Sequence, residues 1–386
     1  MAIDARVSKK AAAMTLIAVA GVSLTSIPAA AGGSTARQPA AARAGVQVPA
    51  APGIPRLPGG LSALSWIVAD ADTGSVLAAK NPHRRLAPAS TLKTLFAVTV
   101  LPKFSAGTVR RVSSTDLAGV GAGSSVVGVR QGSRYTVADL WRGVFLRSGN
   151  DAVHVLAAMN GGWRTTAQEM QETARKLGAR NTTVKSPDGY DTPGQVSSAY
   201  DLTVFARAGL ANDDFARYCA TARAAFPGTT QIENTNRLLV GSHGLSRYPG
   251  IIGVKNGYTT KAGNTLIAAA RRNGRTLIVT VLNPQSNENN AVYKEAGSLL
   301  DWGFDTDGSA QPVGTLHAVR TSYHGGTAFR PVAAHVTEAE ARGGSPWRST
   351  LVLGAGGAGV AAIGLGALLA RWRQARGRGG HGGGTV

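Results

Sequence analysis

Cysteine is almost missing from this chain: Cys219 stands alone in 386 residues. One thiol closes no internal disulfide, so the fold must rest on its apolar core, and Cys219 itself reads as a small buried residue. The seven histidines are scattered, with no His-Glu-x-x-His and no Cys/His cluster, so no metal or other cofactor is expected. Acidic residues are scarce too, 21 against 41 Lys and Arg, which leaves a formal charge of +20. The arginines are dispersed and aromatics make up only 6%, so no basic stretch is interleaved with stacking rings and nucleic-acid binding finds no support. A polyanionic cell envelope is the neighbour such a charge suits. No internal repeat is present.

What is there falls into segments. Residues 1–31 carry a basic start (Arg6, Lys9, Lys10), a short apolar run and the small residues Ala29-Ala30-Ala31, the pattern of a signal peptide. Residues 32–60, rich in Ala, Pro and Gly, read as a flexible linker. Residues 350–370 hold no charge, and their length matches the roughly 20 apolar residues of a transmembrane helix. Arg371, Arg373, Arg376 and Arg378 follow at once, which puts the 371–386 tail in the cytoplasm and the bulk of the chain outside the cell membrane. Residues 306–349 are Gly-rich and read as a stalk. That leaves 61–305 as the working domain.

Within it, short β-like runs at 65–69 and 75–78 flank an Asp72-Thr73-Gly74 turn, the mark of a hairpin. Helical patterns follow. Residues 91–101 are apolar nearly all round, Thr136 and Asp139 form a capping-box variant, and further helices are expected over 152–159, 167–177 and 199–210. Strands return at 250–254, 265–270 and 276–282, the last two joined at Asn273-Gly274, and a helix over 292–302 closes the region. Strands, helices and strands again predict an α+β fold: an antiparallel sheet covered by helices, plus a mostly helical cluster.

Three motifs carry chemistry. In Ser90-Thr-Leu-Lys93 the i and i+3 side chains share one helix face, and a lysine whose charge is disfavoured by burial can take the proton of a serine nucleophile. Ser148-Gly-Asn150 offers a hydroxyl for proton relay and an amide for a substrate carbonyl. Lys255-Asn-Gly257 puts a cation at the end of an apolar strand, with Gly257 allowing a substrate backbone close to the sheet. Each motif alone also fits an ordinary cap, loop or turn; their order and setting are the signal.

With these motifs the chain, over about residues 64–304, resembles the serine D-alanyl-D-alanine carboxypeptidases among the low-molecular-mass penicillin-binding proteins. The resemblance rests on Pro88-Ala-Ser-Thr-Leu-Lys93, Leu146-Arg-Ser-Gly-Asn-Asp151 and Gly250-Ile-Ile-Gly-Val-Lys-Asn-Gly-Tyr-Thr259, with lesser likenesses at Ser186-Pro-Asp-Gly189, Ser197-Ser-Ala-Tyr-Asp201 and Asn234-Thr-Asn236. It implies the penicillin-binding, β-lactamase-like transpeptidase fold. It also implies a substrate, the peptidoglycan stem peptide ending in D-Ala-D-Ala, with β-lactams as covalent inhibitors. By the same resemblance Ser90 is acylated, Lys93 is its base and Ser148 shuttles the proton to the leaving D-alanine. Asn150 positions the peptide, Lys255 meets the terminal carboxylate, and the backbone N–H groups of Ser90 and Tyr258 form the oxyanion hole. Asn256 stands where the family usually has Thr or Ser, which puts substrate and β-lactam affinity in question. Endopeptidase, transpeptidase or β-lactamase chemistry on the same scaffold, or an inactive wall-binding receptor, are the alternatives. Against a β-lactamase, Glu169 and Glu172 fall in an ordinary amphipathic pattern.

Overall fold

A computed structural model of the chain describes residues 45–306 and 311–317. The expected signal peptide, transmembrane helix and cytoplasmic tail lie outside the described residues, as does most of the expected stalk. Among the described residues no helix is long and apolar enough to cross a membrane.

The centre is a seven-stranded antiparallel sheet. Its first hairpin joins β2 (Ser65–Asp70) to β3 (Ser75–Lys80), as the 65–78 pattern predicts. Three later strands complete the middle: β8 (Ile251–Thr259), β9 (Gly263–Arg272) and β10 (Arg275–Leu282). With β1 (Val46–Gln47) the order is β1-β3-β2-β10-β9-β8, and β11 (Gly314–Thr315) also pairs with β3. Alternate residues of β2 point to opposite faces, and every one of them is buried. A sheet of this kind must be covered on both sides.

On one face Trp66, Val68, Val279 and Val281 meet the apolar side of α8 (Ala291–Asp305) through Val292, Ala296 and Leu299. On the other, Ile67, Ala69, Ile267 and Ile278 meet a helical cluster. At its centre runs α1 (Lys93–Val100), buried along nearly its whole length, and α5 (Ala199–Leu210), which starts on a Ser198 cap. The cluster is completed by α2 (Val137–Arg147), α3 (Asn150–Met159), α4 (Trp163–Lys176) and α6 (Asp213–Ala220). The Thr136/Asp139 capping box forms as the sequence suggests, each side chain bonding the other's backbone N–H.

Three expectations need correction. Part of the supposed flexible linker, residues 45–60, is built into the fold: β1 pairs with β3, Ile54 and Leu57 pack on the sheet–α8 core, and the Trp302 indole donates to the Pro55 carbonyl at 2.9 Å. Part of the supposed stalk, residues 311–317, does the same, with Val313 and Leu316 buried and β11 on the sheet. Both segments lack periodicity because they lie along existing structure instead of forming their own. The third-motif lysine also sits inside β8, not at its end.

Candidate active site

Ser90 lies in a 3-10 turn, Ala89–Leu92, that runs straight into α1. The turn is tightly clamped. Ala89 sits at φ 49°, an uncommon region for a residue with a Cβ, and the hydroxyls of Thr91 and Thr265 both donate to the Pro88 carbonyl, at 2.5 and 3.1 Å. Gly189 presses on it from the 186–190 loop: a Cβ there would fall 2.0 Å from the Ala89 carbonyl oxygen. Lys93, at the first position of α1, reaches back to Ser90 with Nζ 2.8 Å from Oγ, and donates to the Asp188 carbonyl at 2.6 Å. It is 1% exposed. Burial drives its pKa down to about 8, against the opposing pull of the Asp188 and Asp151 carboxylates. At that value roughly a tenth of the lysine is neutral at pH 7 and able to accept a proton.

The second motif is placed by a helix end. The last turn of α2 closes at Ser148 in the left-handed conformation (φ 56°, ψ 27°), and α3 begins two residues later at Asn150. Ser148 Oγ and Asn150 Oδ1 are buried and make no hydrogen bond among the described residues, so both are uncommitted for a substrate. Beside them the Asp151 carboxylate accepts from the backbone N–H groups of Val127, Gly128 and Val129 at 2.8–3.0 Å, and the Ser125 carbonyl accepts from Asn150 N at 2.8 Å. Together they fix residues 125–129 beside the site.

The third motif is carried by β8, the sheet's edge strand. Lys255 points inward, 1% exposed, and donates to the Asn256 carbonyl at 2.8 Å. Burial, with Lys93 as a second positive neighbour, holds its pKa well below that of an ordinary lysine. Gly257 faces the nucleophile's turn so closely that a Cβ would lie 2.6 Å from Ser90 N. Tyr258 stands at the rim, 68% exposed.

These pieces enclose a cleft of about 470 Å³ in which Ser90, Ser148, Asn256, Gly257 and Tyr258 meet. A side lobe of about 230 Å³ shares Ser90 and Tyr258 with it and is lined by Asn150 and Tyr190. Lys93 and Lys255 lie beneath the floor, not on it. Sequence reasoning missed several wall residues: Gly123, Ser125, Thr235, Arg237 and Tyr293. The Asn234-Thr-Asn236 likeness was the one signal pointing at that wall. Glu169 is held by Lys103 at 2.6 Å on the surface of α4 and does not line the cleft.

Residues 52–286 match a family described as D-alanyl-D-alanine carboxypeptidase. The D-alanyl-D-alanine carboxypeptidase DacB2 of Mycobacterium tuberculosis is 40% identical over 258 residues, covering 66% of this chain and 86% of the relative. DacD of Escherichia coli is 34% identical, and the match covers 62% of each chain. Among solved structures, a D-alanyl-D-alanine carboxypeptidase from M. tuberculosis superposes with a TM-score of 0.64 at 38% identity, over 70% of this chain and all of the other. The Streptomyces K15 DD-transpeptidase gives 0.60 at 28% identity, over 65% and 99%.

Proposed function

The chain belongs to the D-alanyl-D-alanine carboxypeptidase family, and from that premise we propose that it removes the terminal D-alanine of peptidoglycan stem peptides through an acyl-enzyme on Ser90. The observation that carries this reading is the 2.8 Å contact between Ser90 and a buried lysine whose pKa has fallen to about 8. Neutral Lys93 takes the hydroxyl proton as Ser90 Oγ attacks the carbonyl of the penultimate D-alanine. The backbone N–H groups of Ser90 and Tyr258 receive the developing oxyanion. Ser148 relays the proton to the leaving nitrogen, D-alanine departs, and water releases the shortened peptide from Ser90. An extended peptide fits beside β8, whose outer edge has no strand partner among the described residues. A β-lactam enters by the same attack and stays as the stable acyl-enzyme.

The leader-like start and the arginine-flanked apolar segment support a single-pass membrane placement with the site outside the cytoplasm. One experiment tests both parts. Fluorescent penicillin applied to intact cells should label the full-length protein without permeabilisation, and Ser90→Ala should abolish the label and the release of D-alanine. Full labelling of the variant would move the nucleophile elsewhere; labelling only after permeabilisation would reverse the orientation.

A further inference from the structure

The acylation mechanism leaves one buried titratable side chain unused. His154, on α3 one turn beyond Asn150, is 8% exposed. Its ring stacks on that of Trp163, the first residue of α4, with the centres 4.0 Å apart. It also hydrogen-bonds the Ala118 backbone, and a Cβ on Gly119 would lie 3.6 Å from its Cε1. Ala118 opens the stretch whose later members line the site: Gly123 and Ser125 in the cleft, Ala122 and Ser124 in the side lobe. Three side chains clamp this stretch. His154 meets its start, the Tyr190 hydroxyl donates to the Ala122 carbonyl at 3.0 Å in its middle, and Asp151 holds Val127, Gly128 and Val129 at its end. Charge reaches His154 from Asp151 on its own helix, Asp188 in the 186–190 loop and Lys93 on α1. Asp116, in the turn just before Ala118, is paired with Arg110, and α4 contributes the uncharged Trp163.

We propose that His154 is a positioning residue for the acylation of Ser90: its neutral ring holds the Ala118-Gly119 turn against α3, and a proton on the ring releases that turn and the lining residues that follow it. An imidazolium packed between an indole and loop backbone is cut off from water, and it recovers hydration only if one side of its pocket opens. The α3 side cannot open cheaply, because Val153, Val155 and Leu156 anchor that helix in the core. The loop side can, because Gly119 has no side chain to unpack. Burial holds the His154 pKa below its ordinary value, helped by Lys93 and opposed by Asp188, the Ala118 bond and Asp151. The closed arrangement therefore binds fewer protons than an open one, and acid shifts the balance toward opening.

The inference rests on the acyl-enzyme reading, and the test separates the two. Acylation of the full-length protein by penicillin is followed in stopped flow from about pH 4.5 to 8.5. With Lys93 alone titrating, the rate should fall by about tenfold per pH unit below pH 8. A second inactivating proton, on His154, steepens this to about a hundredfold per unit below the His154 midpoint. His154→Gln keeps an N–H for the Ala118 backbone and takes no proton, so it should follow the single slope throughout. His154→Phe keeps a ring on Trp163 and loses the bond. It should also follow the single slope, but run about threefold to tenfold slower at pH 8, the worth of one neutral hydrogen bond, and His154→Gln should recover that loss. The ring titration, read by NMR of labelled histidines in the native protein, should have its midpoint at the break in slope. A merely structural role would slow the variants equally at every pH. That result would overturn the proposal, as would a native protein with a single slope, a steep limb that survives in His154→Gln, or a ring midpoint away from the break. Native protein that takes up no penicillin at any pH would instead sink the acyl-enzyme reading, and this inference with it.

Discussion

Lys93 has two properties that oppose each other: full burial and a place in the proton path. A charged lysine loses solvation when buried, and here that loss is only partly offset by Asp188 and Asp151. The fold therefore carries a penalty of about 3 kcal/mol at neutral pH, the worth of moving a lysine pKa from 10.5 to about 8. Between those two values the unfolded chain binds more protons than the folded one, so this contribution makes stability rise with pH across that window. Lys93→Met keeps the volume and removes the titration. We expect the native protein to gain up to about 3 kcal/mol relative to that variant as pH is raised from 8 to 10.5, read from paired urea melts. Parallel curves would mean that Lys93 titrates as an ordinary exposed lysine. In the native enzyme, penicillin acylation should rise with pH toward a midpoint near 8, because only the neutral lysine accepts the Ser90 proton.

At the scale of elements, the site depends on how closely β8 passes the turn that carries Ser90. Gly257 is the contact point, with Ser90 N 2.6 Å and Thr265 Oγ1 2.8 Å from where a Cβ would be. Neither neighbour can yield easily, since the turn is tied to Pro88 and Thr265 belongs to β9. Gly257→Ala should push β8 away from the nucleophile and misplace the Tyr258 N–H. Loss of one oxyanion donor is worth roughly 100-fold or more in rate, so acylation should fall by about that factor while the thermal midpoint drops little. Unaltered acylation in stopped-flow would show that the strand does not supply the second donor. Most of these elements were legible in the sequence where a local rule suffices. The first hairpin, the Thr136/Asp139 cap and the Ser198-capped α5 follow from turn chemistry and periodicity. The β6 (Arg223–Phe226) and β7 (Thr229–Glu233) hairpin was not, because its residues are mostly exposed and show no apolar alternation. The wall of the cleft was hidden for a related reason. Thr235 and Arg237 are far in sequence from Tyr293, and only the packing of α8 against the sheet brings Tyr293 beside Thr235 and the strand that carries Asn256.

For the whole molecule, the question is what joins the start of the fold to its end. The entry of the chain into the working domain, just before the first hairpin, is bonded to its last long helix. The Glu295 carboxylate, on α8, accepts from Ser62 N at 3.0 Å, Ser62 Oγ at 2.5 Å and Ala63 N at 3.0 Å, and it is only 6% exposed. The same Ser62 Oγ accepts from the backbone N–H groups of Gln285 and Ser286 at 3.1 and 3.0 Å, so the loop that leads into α8 is held as well. This knot lies on the α8 side of the sheet, whereas Ser90 and Lys93 lie at the head of α1 in the helical cluster on the other side. Glu295→Ala strands two backbone donors and a hydroxyl in a half-dry setting. Buried donors left without partners are worth about 1–3 kcal/mol each, and partial access of water to Ser62 holds the total to about 3 kcal/mol. For a domain of this size such a loss lowers the thermal midpoint by about 5 °C or more. Acylation by penicillin well below that midpoint should stay within about twofold of the native rate, since the bonds removed are to Ser62 and Ala63, and Tyr293, an α8 residue on the cleft wall, keeps its own bond to the Thr235 carbonyl. A variant that keeps its melting temperature would show that the strap before β2 is not bound to α8 in solution. Lost acylation in a protein still folded would show that the strap reaches the site through the sheet.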